Sequence, residues 1–161
     1  MDGRLIVLKR FVEALGEPAD ISSIDSRKRF QKAVYLGQLA GVDLGYRYSW
    51  YVRGPYSTAL TKDYYALAAA LAAGDQPPED KKLKPQLQEK LAALRGLFTV
   101  PSDVGLDEPA WYELLASWHY LLKVSGLAQQ KAQETMSSSK PHLVGYIDKA
   151  DRELRQRRLL D

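Results

Sequence analysis

One short stretch of this chain alternates like a β-strand, and it interrupts a sequence whose other apolar residues recur at helical spacing. Every second residue from position 46 to position 52 is large and apolar, and these residues are Tyr46, Tyr48, Trp50 and Val52. Because successive side chains of a strand point to opposite faces, we expect these four to face the core. The opposite face then carries Arg47, Ser49, Tyr51 and Arg53. Gly54 and Pro55 are predicted to stop the strand, and Ser57 to cap the next helix.

The rest of the chain predicts helices. Helical spacing of apolar residues begins at Leu5 and ends before Gly16, and a second helix is expected to start at Asp25 or Ser26 and to end at Gly41. A third runs from Ser57 to Ala73 and a fourth from about position 87 to 98. Asp107 should cap a fifth, whose face is the most apolar of the chain and therefore central to the core. A polar helix is expected over 127–135, and Ser137–Ser139 should precede the last one.

These elements predict a mainly α domain with a small antiparallel β element, an α+β fold that is winged-helix-like in its N-terminal half. The 161 residues form a single domain of ordinary apolar content, 45%, with a flexible proline-rich loop near 74–85. The chain has no cysteine, which excludes disulfides, thiolate catalysis and sulfur ligands for zinc. The N-terminal apolar run is too short for a signal peptide or a membrane span, so we expect a cytoplasmic protein without a membrane partner.

The densest cationic cluster of the N-terminal half lies on the second predicted helix. It comprises Arg27, Lys28, Arg29 and Lys32. Surface helices often carry such runs, so a solvated face is the first expectation and a phosphate-binding face the alternative. A winged-helix-like arrangement would bring this cluster to the same side as Arg47 and Arg53, where the charges could neutralise DNA phosphates.

The polar strand face combines cations with flat rings, because Arg47, Tyr51 and Arg53 precede Tyr56 at the turn. This pattern has three interpretations. The arginines could cover aromatic rings and pair with carboxylates such as Asp63. They could instead anchor a protein interface, or contact phosphates while the tyrosines stack on bases. The candidate binding residues, for protein or nucleic acid, are Arg27, Arg29, Lys32, Arg47, Tyr51, Arg53 and Tyr56.

Two motifs resemble a known family. The runs Phe30–Leu36 and Trp50–Ser57, followed by Leu60 and Asp63, are similar to the "QK-hydrophobic-Y-L" helix and "GPYS" turn of YwgA-like proteins and the related Panacea (SocA-like) antitoxin domain. The run Glu113–Leu121 resembles the "ELLAS-hydrophobic-H" helix of the YwgA-like type. The chain departs from the Panacea pattern after the third helix.

The resemblance implies a small helical domain of prokaryotes and phages with a short β element. Panacea-type domains neutralise toxins, and SocA-like members act as adaptors. On this basis we expect a non-catalytic interaction protein whose partner is a toxin or a subunit of a phage-defence complex. The alternative is a winged-helix-like DNA-binding protein.

Few residues of this sequence could support catalysis, so we expect that the protein is not an enzyme and binds no cofactor or metal. His119 is interpreted as a hydrogen-bonded core or boundary residue, because a catalytic histidine needs an oriented partner. The charges of the last helix, among them Asp148 and Asp151, are expected to form a salt-bridged surface. A metal-dependent nuclease is the third hypothesis, from Asp75, Glu79 and Lys81, which lie in a loop rather than on adjoining strands.

Overall fold

A computed structural model describes residues 1–160 and confirms a mainly helical α+β fold. Within this range the chain forms seven α-helices and one two-stranded antiparallel sheet. The elements are α1 Gly3–Ala14, α2 Ile24–Gln38, β1 Ser49–Tyr51, β2 Gly54–Tyr56, α3 Thr58–Ala72, α4 Pro85–Ala92, α5 Glu108–His119, α6 Gln129–Ser139 and α7 Ile147–Gln156. Two 3₁₀ segments, Arg95–Phe98 and Pro141–Tyr146, and a π-helical turn, Tyr120–Val124, complete it.

Side-chain caps set the starts of several helices. The Ser57 hydroxyl accepts a hydrogen bond from the Leu60 amide, and the Asp107 carboxylate accepts one from Ala110, as the sequence predicts. The cap of α2 differs from the expectation. Ser23 caps this helix through the Ser26 amide, so α2 begins before Asp25 and Ser26. Each of these oxygens satisfies an amide that has no partner within its helix.

Helix α5 is the central element, as its apolar face predicts. All its residues from Trp111 to His119 are buried, and α5 packs against α2, α7 and β2. Glu113, Ser117 and His119 are the polar residues among them. A carboxylate buried in the middle of a core helix needs charged or hydrogen-bonding partners, because its desolvation is costly.

The β element is a short hairpin rather than one long strand. Ser49 pairs with Tyr56 and Tyr51 with Gly54, so the turn lies at Val52 and Arg53. Gly54 and Pro55 therefore belong to the second strand and do not stop the first. The expected inward position of Val52 is also wrong, because this side chain is 89% exposed at the turn.

The segment before β1 keeps the alternation of buried and exposed residues without belonging to the sheet. The Gln38 side chain accepts a hydrogen bond from the Tyr46 amide and donates one to the Tyr46 carbonyl. These two bonds replace the ladder bonds that a strand would need at this residue. Tyr46 is buried and Arg47 exposed, so the alternation is preserved there even though the ladder is absent.

Two further expectations concern the loops. The connection between α3 and α4 is irregular, as predicted, and the Arg10 guanidinium donates to the carbonyls of Pro78 and Lys81 at 2.9 and 2.8 Å. The residues Ser137–Ser139 are not a connector, because α6 extends through them to Ser139. None of the helices described in residues 1–160 combines the length and apolarity that crossing a membrane requires.

Candidate functional site

A pocket of about 190 Å³ lies between α2, the hairpin and α3. Four cationic side chains line it, and these are Arg27, Lys28, Lys32 and Arg53. The tyrosines 56, 64 and 65 form much of its remaining wall. Among residues 1–160, no aspartate or glutamate lines this pocket. Its electrostatic character is therefore that of an anion site.

Lys32 is the least accessible of these cations. Its side chain projects from α2 beneath the hairpin, and the residue is 1% exposed. The ammonium nitrogen Nζ donates to the Pro55 carbonyl at 2.7 Å, which is a neutral acceptor. The contact joins α2 to β2. The helix face that carries Lys32 is thus covered by the hairpin, and the expectation that this face is fully solvated is wrong.

Glu113 of α5 supplies the negative charge next to this pocket. Its two carboxylate oxygens pair with Lys28 at 2.6 Å and with Lys140 at 2.9 Å. Burial alone would raise the pKa of Glu113, but the hydrogen bonds from the two lysines outweigh it and hold the pKa below its usual range. Glu113 consequently stays ionised and links α2 to the start of the 3₁₀ segment after α6.

Lys140, the residue that follows α6, also contacts the hairpin. It is 1% exposed, its ammonium donates to the Val52 carbonyl at 2.5 Å, and it lies 5.3 Å from the centre of the Trp50 ring. Two buried ammonium groups therefore bind carbonyls on the hairpin, one in the turn and one in β2. Charge-assisted bonds of this kind are about twice as strong as neutral ones.

The hairpin can approach these charges closely only because residue 54 is glycine. Its φ of +90° is in the left-handed region, and a Cβ atom there would lie 2.5 Å from the Ser117 hydroxyl oxygen and 3.5 Å from Cε of Lys32. Ser117 itself is fully buried, and its hydroxyl has no hydrogen-bond partner within residues 1–160. Because the backbone at Gly54 lies close to α5 and α2, the hairpin carbonyls of Val52 and Pro55 lie within reach of Lys140 and Lys32.

The cluster holds more positive than negative charge. Lys28, Lys32 and Lys140 surround one carboxylate, and Arg53 adds a further cation. Burial lowers the pKa of Lys32 to about 7, and the nearby Lys28, Lys140 and Arg53 act in the same direction, while Glu113 opposes them. Lys32 is therefore close to half protonated at neutral pH, so an anion next to it would favour its charged form.

Exposed apolar side chains border the pocket. Ile24 and Tyr65 line its outer part, while the Tyr51 ring packs edge-on against Tyr56 at a centroid distance of 5.1 Å. Val52 is exposed immediately before Arg53 in the turn. Within residues 1–160, these residues account for four of the six large hydrophobic side chains that are exposed. Solvent-exposed apolar groups concentrated around one polar pocket are typical of a binding surface.

The predicted site residues divide into two groups. Arg27, Lys32, Arg53 and Tyr56 come together in the pocket, and Tyr51 lies beside it against Tyr56. The other two residues, Arg29 and Arg47, lie elsewhere.

Arg29 binds Glu17 at 3.0 Å and Glu108 at 3.5 Å, and its guanidinium lies over the Tyr112 ring, so it stabilises the packing of α2 on the neighbouring segments. Arg47 is 81% exposed and pairs with Asp43. Asp63 does not pair with the arginines of the strand face but accepts a hydrogen bond from Tyr46 and contacts Arg4.

Sequence reasoning missed Glu113 and Lys140. A signal for Glu113 existed, because it is the one carboxylate between Trp111 and His119 on the most apolar helix. No local signal marked Lys140, which follows a serine run and precedes Pro141. Its role depends on the packing of the end of α6 beneath the hairpin.

His119 is buried and hydrogen-bonded, as expected of a core residue. Its Nδ1 lies 2.8 Å from the Tyr35 hydroxyl, and burial lowers the pKa of the imidazole to about 4. The two groups lie on α5 and α2 and join these helices. In residues 1–160, no group of three or more histidine, aspartate or glutamate side chains is arranged to hold a metal ion.

No protein-family model, curated protein or solved structure matches this chain. The resemblance to YwgA-like and Panacea domains accordingly stays a prediction. The assignment of a function depends on the geometry of the pocket and its border.

Proposed function

We propose that this chain is a non-catalytic, partner-binding protein, and that its binding surface is the face formed by α2, the hairpin and α3. The observation that supports this most directly is the pocket with four cations and no carboxylate in its described lining, bordered by exposed apolar residues. Arginine and tyrosine anchors next to apolar groups are characteristic of protein interfaces.

The proposed partner is a protein segment that carries an anionic group among apolar side chains. The pocket, at about 190 Å³, is smaller than the roughly 300–1,000 Å³ of typical small-molecule sites. It suits one charged group of a larger molecule, and Ile24, Tyr51, Val52 and Tyr65 would cover the apolar residues on either side of that group. A toxin or a subunit of a phage-defence complex, in the cytoplasm, is the class of partner that we propose from the family resemblance.

Nucleic acid is the less favoured partner on this surface. A DNA-binding helix should present polar side chains to base edges. Four of the seven exposed positions of α3 are alanines, which offer no hydrogen-bonding groups, and only Thr58, Lys62 and Tyr65 do. The apolar border would also lie against a highly charged backbone. Phosphate neutralisation by the four cations would remain, and it would make any DNA binding strongly salt-dependent.

Site-specific photo-crosslinking in the native host tests this proposal. In one variant a photoreactive phenylalanine analogue replaces Tyr65 at the pocket border. In a matched control it replaces Val124, which is exposed and does not line the pocket. We expect one protein to be crosslinked from position 65 and not from position 124, in an amount comparable to that of the chain. Equal crosslinking from both positions, or crosslinks to DNA alone, would refute a protein interface at this face.

A further inference from the structure

The chemistry of the pocket indicates which anion it accepts. Of the four cations that line it, only Lys28 has a carboxylate partner within residues 1–160, and that partner is Glu113. Arg27 donates to the Ile21 carbonyl at 3.1 Å, and Lys32 donates to the Pro55 carbonyl. Arg27 and Arg53, joined by Lys32 when it is protonated, therefore line the pocket without an ion-pair partner in the described chain, and Glu113 acts on Lys32 only through its nearby charge. A single carboxylate would balance only one of them.

The donor groups are also suited to a tetrahedral oxyanion. The planar forks of Arg27 and Arg53 can each donate two parallel hydrogen bonds to phosphate oxygens. The Tyr56 hydroxyl is hydrogen-bonded to the Thr61 hydroxyl, whose single proton has the Ser57 carbonyl as a second acceptor. Ammonium and guanidinium donors thus converge on the pocket from α2 and the hairpin turn, so that oxygens pointing in several directions could be bound at once.

From this arrangement we propose that the pocket is a phosphate site that accepts the doubly charged phosphate of a monoester, with Arg27, Arg53 and Lys32 as its principal cationic contacts. The inference deepens the proposed function, because it names the group that a protein partner would place in the pocket. The partner segment would then carry a phosphorylated side chain, and the apolar border would contact the residues beside it.

Binding of the anion should be coupled to protonation of Lys32. The charged groups that face Lys32 are Lys28 from its own helix, Glu113 from α5, Lys140 from the end of α6 and Arg53 from the turn. Before binding, the three cations oppose its protonation, and the pKa of Lys32 is about 7. A dianion beside it reverses the sign of the local potential, so Lys32 takes up a proton as the anion binds.

Calorimetric titration of the full chain with inorganic phosphate, phenyl phosphate and acetate tests the ligand class. We expect both phosphates to bind, phenyl phosphate more tightly because its ring contacts the tyrosines, and acetate to bind at least about tenfold more weakly. Arg53→Ala should weaken phosphate binding roughly 10- to 100-fold, the loss expected for hydrogen bonds to a charged group. The charge-matched control Arg47→Ala removes an exposed arginine outside the pocket and should change the affinity less than about twofold.

Sulfate tests the proton coupling, because it is a dianion that does not itself titrate near neutral pH. Titration near pH 7.5 in buffers of different ionisation enthalpy should show net uptake of protons by the protein, because the pKa of free Lys32 is lowered to about 7 and the bound anion raises it. Lys32→Met should abolish this uptake. If that variant does not fold, Arg53→Ala and the pH dependence of binding by the wild type test the same coupling. The affinity of the wild type for sulfate should fall above pH 7.

The phosphate site and the partner-binding function can be refuted independently of each other. Equal affinity for acetate and phosphate, or equal losses in Arg53→Ala and Arg47→Ala, would overturn the phosphate site while position 65 could still crosslink a protein. Specific phosphate binding without any crosslinked protein would instead overturn the partner-binding function. Tight binding of free phosphate with no preference for phenyl phosphate would identify the free anion, rather than a phosphorylated side chain, as the ligand.

Discussion

Replacing Gly54 with alanine should destabilise the fold through two separable effects. The backbone at this residue has a φ of +90°, which costs an L-amino acid about 1–2 kcal/mol. The added Cβ would also lie 2.5 Å from the Ser117 hydroxyl oxygen, on the buried central helix. Overpacking of this kind costs typically about 1–3 kcal/mol. We therefore expect Gly54→Ala to reduce the free energy of unfolding by about 2–5 kcal/mol.

Urea denaturation followed by circular dichroism measures this loss, and the chain offers a matched control. Gly45 has a φ of +88°, and a Cβ added there would have no neighbour within 4 Å, so Gly45→Ala should show the backbone cost of about 1–2 kcal/mol alone. Adding Ser117→Ala to Gly54→Ala should restore most of the steric part. Equal losses in the two glycine variants, or no recovery with Ser117→Ala, would refute the close approach of the hairpin to α5.

Three further predictions concern buried and paired charges. The pKa of Lys32 is about 10.4 in the unfolded chain and about 7 in the folded chain, so the unfolded chain binds more protons between these pH values. As the pH rises through this interval, the free energy of unfolding of the wild type should increase by up to about 1.4 kcal/mol per pH unit relative to that of Lys32→Met. Urea denaturation measures this difference. A steeper or equal rise in the variant would contradict this. The pKa of His119 is lowered to about 4 from an ordinary 6.5, so the wild type should lose up to about 3 kcal/mol as pH falls through this interval, and His119→Gln should remove that component of the pH dependence. Arg29→Ala should lower the free energy of unfolding by about 1–3 kcal/mol, because it removes the ion pair with the nearly buried Glu17. Arg47→Ala removes an exposed ion pair and should lower it by less than about 1 kcal/mol in the same assay.

Local signals predicted most of the helices. Ser57 and Asp107 start α3 and α5 because a side-chain oxygen next to a helical pattern satisfies an unpaired amide, which is a short-range effect. The central position of α5 followed from its continuous apolar face. The serine run 137–139 was misinterpreted because serine favours helix ends, whereas here α6 continues through it to Lys140, which Glu113 and the hairpin hold in place.

The strand prediction failed at the hairpin turn and in the segment before β1. Glycine followed by proline usually ends a strand, but Pro55 pairs with Trp50 in a hairpin of three residues per strand. The Gln38 side chain binds the backbone of Tyr46, so the extended pattern continues outside the sheet. Both contacts join residues no more than eight positions apart, so the error lay in how the turn and the side-chain cap were interpreted.

About half of the site could be predicted. Arg27, Arg53 and Tyr56 lie near sequence features that mark cationic and aromatic surfaces, and they meet in the pocket. The burial of Lys32 could not be predicted, because Glu113 and Lys140 come near it only once α2, α5 and the end of α6 pack together. Arg29 does not line the pocket, because its carboxylate partners in the α1–α2 connection and at the start of α5 hold it outside.

We propose that the face formed by α2, the hairpin and α3 binds its partner through the cationic pocket. Calorimetric titration of the purified crosslinked protein against the wild type, Arg53→Ala and Arg47→Ala measures the contribution of the pocket. We predict that Arg53→Ala weakens the complex at least about tenfold, while Arg47→Ala, which removes the same charge outside the pocket, changes the dissociation constant less than about twofold. Equal effects of the two substitutions, or a larger effect of Arg47→Ala, would contradict the account.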